Sequence, residues 1–309
     1  MKKTKKYHGV VVPMVTPLTN SGELDKEAVI RICTNFVKHD VSPLLMGTTG
    51  EGASVPVRMG CELIQTAKEI CRDRVTVYTG IPGNCVKEQT EAAEMFRQAG
   101  ADVVAATLPC YYTLTPAQME NYYRSLAHQL KLPLMLYNIT ITTHMSIPLD
   151  VVERLSHEEN IVGLKDSENN IPRLEEALEL FSEHDDFSYF SGCAANSAIA
   201  LKRGADGIVP SVGNYWPEAY RRLYEAGISG KDDEAANWQL LTVEAGKVNT
   251  EGLTLGESLA GLKVIMKMRG LCEEYMLPPL SMLSAEKADE IRRNFSSLPF
   301  FDLMVDDQS

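Results

Sequence analysis

The chain contains little that would anchor it, staple it or attach it to nucleic acid. None of its apolar runs is long enough to span a membrane, and the basic start Met1-Lys2-Lys3-Thr4-Lys5-Lys6 leads into no hydrophobic signal core. These features predict a cytoplasmic protein with no membrane partner. Seven scattered cysteines, an odd number with no Cys-x-x-Cys pair, argue against a disulfide framework and for reduced thiols. The six histidines (His8, His39, His128, His144, His157, His184) lack paired ligand spacing, so no metal is expected. Net charge is −12, opposite in sign to the basic footprint that nucleic acid requires. A small anionic substrate stays compatible, because a site can be locally positive. No low-complexity segment or Pro/Gly linker divides the 309 residues.

What is present is a regular alternation. Short apolar runs recur at Val10–Met14, Pro43–Met46, Val75–Tyr78, Asp102–Ala106, Leu134–Tyr137, Ile161–Lys165, Phe187–Phe190 and Gly207–Val209. Amphipathic stretches follow them: Asp25 to Lys38, Pro56 to Cys71, a helix ending at Ala99, Pro116 to Leu130, Leu149 to Ser156, Arg173 to Ser182, Ala194 to Arg203 and Pro217 to Ala226. Eight strand–helix units at intervals of roughly 20 to 35 residues predict an α/β fold, a (β/α)8 TIM barrel. An open doubly wound sheet would want a glycine fingerprint after its first strand, and Thr16-Pro17-Leu18-Thr19 is not one. Strand signals stop near Lys231. Helical stretches at Asp233–Val248, Leu255–Tyr275 and Ala285–Phe295 then predict an appendage, dividing the chain into a catalytic barrel (7–228) and a C-terminal helical extension (229–309).

The stretch Ile161-Val162-Gly163-Leu164-Lys165-Asp166 places a lysine at the end of a buried strand. Strict alternation sets Ile161, Gly163 and Lys165 on one face, with Gly163 opening a space in which the amine can lie. Desolvation disfavours an ammonium, and a neutral amine is the nucleophile of Schiff-base catalysis. The alternative is a lysine that caps the strand and pairs with Asp166. Barrel enzymes carry their reacting groups at the C-terminal ends of strands. Those ends are Thr48 and Thr49, Tyr111, Tyr137, Lys165, Gly192 and Val209. Tyr137, inward with Met135, is expected beside Lys165, where a phenol can shuttle protons as a carbinolamine forms and dehydrates. Gly47-Thr48-Thr49-Gly50-Glu51 has the composition of an anion nest, with converging backbone N–H groups and two hydroxyls.

Four motifs, in this order, carry a resemblance: Gly47-Thr48-Thr49-Gly50-Glu51, Pro109-Cys110-Tyr111-Tyr112, Tyr137-Asn138 and Gly163-Leu164-Lys165-Asp166. The chain resembles the dihydrodipicolinate synthase / N-acetylneuraminate lyase family of class I aldolases from about Tyr7 to Phe295. The resemblance implies a pyruvate-type Schiff base on Lys165, with no metal or other cofactor, and Tyr137 as proton carrier. It further implies a relay of Thr48 and Tyr111, the latter reaching across a dimer interface. Thr49 and Gly47 would hold the carboxylate of pyruvate or another small 2-oxo acid, and Gly192 and the Val209 backbone would line the pocket. A homotetramer built as a dimer of dimers is implied too.

Two departures bear on the second substrate. The synthases carry an arginine five residues after the tyrosine, where this chain has Thr142, and the proline usual after Tyr-Asn-x is replaced by Thr140. Neuraminate lyases place two acidic residues shortly after the strand-seven glycine, and here the run is Cys193-Ala194-Ala195. Asn169, Asn170, Asn196 and His144 are the candidates for a different polar distal pocket. The expected activity is that of an aldolase or lyase on a 2-keto-3-deoxy or 4-hydroxy-2-oxo acid. 4-Hydroxy-tetrahydrodipicolinate synthesis is the first alternative, and a non-catalytic 2-oxo-acid sensor the second.

Overall fold

The computed structural model describes residues 5–305. Eight parallel strands close into a barrel in sequence order: β1 (Gly9–Pro13), β2 (Val41–Leu45), β3 (Tyr78–Gly80), β4 (Val103–Thr107), β5 (Leu134–Asn138), β6 (Ile161–Asp166), β7 (Ser188–Ser191) and β8 (Gly207–Ile208). The helices between them are α1 (Lys26–Lys38), α2 (Val57–Cys71), α3 (Val86–Ala99), α4 (Pro116–Gln129), a single turn α5 (Thr140–Thr143), α6 (Leu149–Ser156), α7 (Ile171–Leu180), α8 (Ser197–Lys202) and α9 (Pro217–Ile228). The expected TIM barrel is therefore observed. Local chemistry sets many of the starts. Asp25 caps α1 by accepting from the Ala28 N–H at 3.0 Å, and Thr115 with Gln118 forms a capping box at α4.

Strands covered on one face by helices and on the other by the barrel interior must be apolar throughout. Val12, Val104, Leu136 and Leu164 point to the helices, whereas Val11, Leu44, Tyr78, Val103, Met135 and Phe190 fill the interior. Tyr7, Tyr78 and Phe190 meet edge to face at 6.3 Å and plug the barrel below the site.

Three expectations change here. Strand three begins at Tyr78 rather than Val75, because the Asp102 carboxylate takes the Val77 N–H at 2.8 Å before the ladder starts. Along β6 the alternation is interrupted. Leu134 pairs with Ile161 but Met135 with Gly163, so Val162 is the additional residue of a bulge. Ile161 therefore packs outward and Val162 against the interior; only Gly163 and Lys165 keep the predicted common face. Gly163 also has a different purpose from the one expected. A Cβ there would lie 2.4 Å from the Ser188 carbonyl oxygen and 3.2 Å from the Met135 methyl. The glycine lets β6 and β7 approach, and Met135 fills the space the amine was expected to use.

Beyond α9 come α10 (Asp232–Lys247), α11 (Leu255–Met268), α12 (Ala285–Ser296) and α13 (Phe301–Val305). Helix α11 stops before the expected Tyr275. Gly270 adopts φ 66°, and the Leu271 N–H donates to the Met266 carbonyl at 2.9 Å, which ends the helix. The following segment, 272–278, meets the loop after β2, where the Leu277 N–H donates to Glu51 at 2.8 Å. Leu262, Ile265, Ile291 and Phe295 of this helical part share one core with the barrel helices, and Trp216 stacks on Phe300 at 5.7 Å.

Candidate active site

Register alone places Lys165 between Tyr137 on β5 and Phe190 on β7. Lys165 is 3% exposed, and its Nζ sits 3.7 Å from the centroid of the Tyr137 ring. The Thr48 hydroxyl reaches the Tyr137 hydroxyl at 3.5 Å. Burial alone would push the Tyr137 phenol up. The Lys165 charge and hydrogen bonds from Thr48, Lys165 and Ser167 outweigh it and hold the phenol below its ordinary value. A phenol so placed gives up its proton more readily than a free tyrosine.

The pairing of Lys165 with Asp166 does not occur. Asp166 faces the other side of β6, where its carboxylate accepts from Arg173 Nε at 2.7 Å and from Asn138 Nδ2 at 2.9 Å. Asn138 in turn accepts from the Ile147 N–H at 3.0 Å, and Arg173 donates to the Ile147 carbonyl at 2.8 Å. This network ties the loop after β5 to the strand that carries the lysine.

The 47–52 loop coils tightly above β2. A Cβ on Gly52 would come 2.0 Å from the Met46 carbonyl oxygen, so the close turn admits only glycine. Met46 and Glu51 both take left-handed backbone, at φ 54° and 57°. Thr16 donates to the Gly50 carbonyl at 2.6 Å, and Glu51 turns away from the pocket into the C-terminal helical part. Gly47 and Thr49 are buried in this turn. The Gly192 N–H donates to the Asp166 carbonyl at 2.6 Å, and the Val209 N–H to Ser191 at 2.8 Å, so both lie at the ends of strands flanking the lysine.

The other predicted residues fall less centrally. Tyr111 is 79% exposed and packs edge-on against Tyr112 at 5.0 Å, outside the group formed by Lys165, Tyr137 and Thr48. Thr142 lies in α5, its hydroxyl donating to the Ile139 carbonyl at 3.3 Å. Asn196 donates to Asn169 at 3.1 Å, joining the loops after β6 and β7. Asn170 instead caps α7, accepting from the Arg173 N–H, and His144 is an exposed left-handed residue after α5. Burial pushes the Cys193 thiol up, which keeps it protonated and a poor competitor for Lys165.

Ser167 is the site residue that sequence reasoning missed. It stands two residues after Lys165, just past the end of β6, and its side chain hydrogen-bonds the Tyr137 phenol. Among the described residues no cluster of three or more His, Cys, Asp or Glu side chains is placed to hold a metal. Among the same residues no helix is long and apolar enough to cross a membrane.

The chain is similar over most of its length to proteins of known name. A 4-hydroxy-tetrahydrodipicolinate synthase of Aromatoleum aromaticum is 30% identical over 224 residues, covering 72% of this chain and 76% of its own. The probable 2-dehydro-3-deoxy-D-pentonate aldolase of Escherichia coli is 29% identical, covering 93% of this chain and 96% of the relative. The solved dihydrodipicolinate synthase of Bacteroides thetaiotaomicron superposes with a TM-score of 0.89 at 26% identity, over 96% of this chain and 100% of that one. The family model for the dihydrodipicolinate synthetase family matches residues 6–298, and the chain belongs to that family.

Proposed function

We propose that the protein is a class I aldolase or lyase that binds pyruvate, or another small 2-oxo acid, as a Schiff base on Lys165. One observation carries the reading: a buried amine held 3.7 Å over the ring of a buried tyrosine, in the family whose motifs the chain bears. The Lys165 amine adds to the C2 carbonyl carbon. The carbonyl oxygen takes a proton from Tyr137, giving a carbinolamine. The nitrogen returns its extra proton to Tyr137, which passes it to the hydroxyl; water leaves and the freed nitrogen lone pair forms the C=N bond. In the cleavage direction, Tyr137 removes the proton of the C4 hydroxyl. The C3–C4 bond breaks, its electrons pass to the iminium nitrogen, and the resulting enamine is protonated at C3.

Thr48 acts on Tyr137. Tyr111 completes the relay from a second copy of the chain, in a homotetramer built as a dimer of dimers. Support comes from the exposure of the adjacent rings Tyr111 and Tyr112, an unusual place for two aromatics on a monomer. Gly47 and Thr49 hold the 2-oxo acid carboxylate, Gly192 and Val209 line the pocket, and residues 7–228 form the catalytic barrel. The chemistry needs no metal or other cofactor.

For the second substrate, we infer a neutral hydroxyaldehyde, so that cleavage acts on a 2-keto-3-deoxy acid. Thr142 stands where the synthases carry an arginine, and Asn169, Asn196 and Cys193 on the loops after β6 and β7 add hydrogen-bonding groups rather than a cation. Kinship with a pentonate aldolase supports this choice. Incubation with pyruvate and borohydride, followed by peptide mass mapping, tests the reading. A reduced adduct at Lys165 is expected. Adduct at another lysine, or none with any 2-oxo acid, would overturn it.

A further inference from the structure

Glu51 is the last residue of the Gly47–Glu51 nest and lies in left-handed backbone, yet its side chain never faces the pocket. It is wholly buried against a residue 212 positions later, accepting from Lys263 Nζ of α11 at 2.5 Å, with the two side chains 0% and 1% exposed. The second carboxylate oxygen accepts from the Leu277 N–H at 2.8 Å, and Lys263 donates again to the Tyr275 carbonyl at 2.7 Å. Both charges are thus closed off from water and satisfied by each other and by the 272–278 segment.

Burying such a pair gains little stability over an apolar substitute, because desolvation offsets the attraction. Its yield is geometric. A non-glycine residue in left-handed backbone is strained and persists only where its surroundings fix it. Here the Ser54 and Val55 N–H groups donate to the Glu51 carbonyl, the Glu51 N–H to Thr48, and the Gly52 N–H to Gly47. Every bond that shapes the nest therefore passes through or beside the residue that Lys263 holds.

We propose that Lys263 and Glu51 are positioning residues for the 2-oxo acid carboxylate, and that α11 with the 272–278 segment sets the shape of the nest. The pair touches no reacting atom. It governs how well the carboxylate is bound and leaves the attack by Lys165 alone. This inference rests on the Schiff-base reading above.

The test is the pyruvate dependence of borohydride trapping in wild type, Lys263→Met, Lys263→Arg and Glu51→Gln, with circular dichroism and thermal unfolding as a check on folding. For Lys263→Met the half-saturating pyruvate concentration should rise roughly tenfold or more, the scale of one charge-assisted hydrogen bond. The trapping rate at saturation should stay within about twofold of wild type, and Lys263→Arg should restore most of the affinity. Should Lys263→Met fail to fold, Glu51→Gln is held to the same expectation, since it keeps the shape and removes the charge. Unchanged half-saturation in a folded variant overturns the proposal, as does a loss confined to the saturating rate. Absence of adduct in wild type strikes the Schiff-base reading instead.

Discussion

Lys165 and Lys263 are buried to nearly the same degree, but their surroundings differ in kind. Lys263 faces a carboxylate at 2.5 Å and a backbone carbonyl at 2.7 Å. Lys165 lies over a phenol ring, and among the described residues no carboxylate stands within ion-pair distance of it. Its neighbour Asp166, the obvious counter-ion by sequence, is occupied by Arg173 on the opposite face. Burial therefore does not distinguish the lysine proposed to react from the one that is held in place; the partner does. The Lys263 ammonium is engaged by fixed partners of opposite charge and polarity, whereas Lys165 lies over a phenol ring and stays open to a ligand.

The largest effect that could break this comparison comes from exchanging each lysine for arginine. A guanidinium keeps its proton and cannot add to a carbonyl. Lys165→Arg should abolish the borohydride adduct, while Lys263→Arg should keep it, as peptide mapping of both proteins would reveal. Loss of adduct in both would remove the distinction.

Next in size is the phenol. Tyr137→Phe should keep the fold and lower turnover by roughly 10²–10⁴-fold, the range for a lost acid–base group. Smaller losses in the same direction are expected for Thr48→Val and Tyr111→Phe. Steady-state kinetics decides it, and full activity in Tyr137→Phe would mean that the proton carrier lies elsewhere.

Substrate choice follows from where positive charge is missing. With Thr142 in place of an arginine, a second carboxylate lacks the charge-assisted hydrogen bonds that contribute about 1.5–3 kcal/mol each. Condensation of pyruvate with aspartate semialdehyde should be weak, and neutral hydroxyaldehydes should give the higher kcat/KM. Thr142→Arg should move the ratio toward the charged aldehyde. Efficient use of aspartate semialdehyde by wild type would favour the synthase.

The smallest effect concerns acidity. Hydrogen bonds and the Lys165 charge stabilise the Tyr137 phenolate, so its ionisation falls below the ordinary tyrosine range. Removing one such bond with Thr48→Val should raise it, shifting the alkaline absorbance transition of this phenol to higher pH. A shift to lower pH would mean that Thr48 bonds the neutral form instead.

Much of this was legible in the residues. Apolar runs bounded by caps such as Asp25 and Thr115 marked the barrel, because parallel strands covered on both sides must be apolar and each helix needs a start. Lys165, Tyr137 and Thr48 were found as strand-end residues for the same topological reason. The β6 bulge was not legible, since it depends on how closely Gly163 lets Ser188 approach from another strand. Nor was the Glu51–Lys263 contact, where nothing local to either residue names a partner 212 positions away. The early end of α11 had a signal in Gly270, which apolar periodicity through the following residues obscured. Tyr111 was legible as a strand-end and motif residue, but in a single chain it lies in solvent, away from Lys165 and Tyr137.

The place of Lys263 in the chain order has a consequence for biosynthesis. The ribosome releases the chain from its N-terminus, so the loop and all eight strands emerge before Lys263 is joined. The partner that sets the 2-oxo acid loop is made after everything it acts upon. A chain that stops short after α10 carries Lys165 and Tyr137, yet it has no cation for Glu51 and no Leu277 N–H to donate to its carboxylate. By the positioning argument such a fragment binds keto acids poorly. On that proposal, joining α11 is the step that gives the chain its grip on a keto acid, while the amine is already in place.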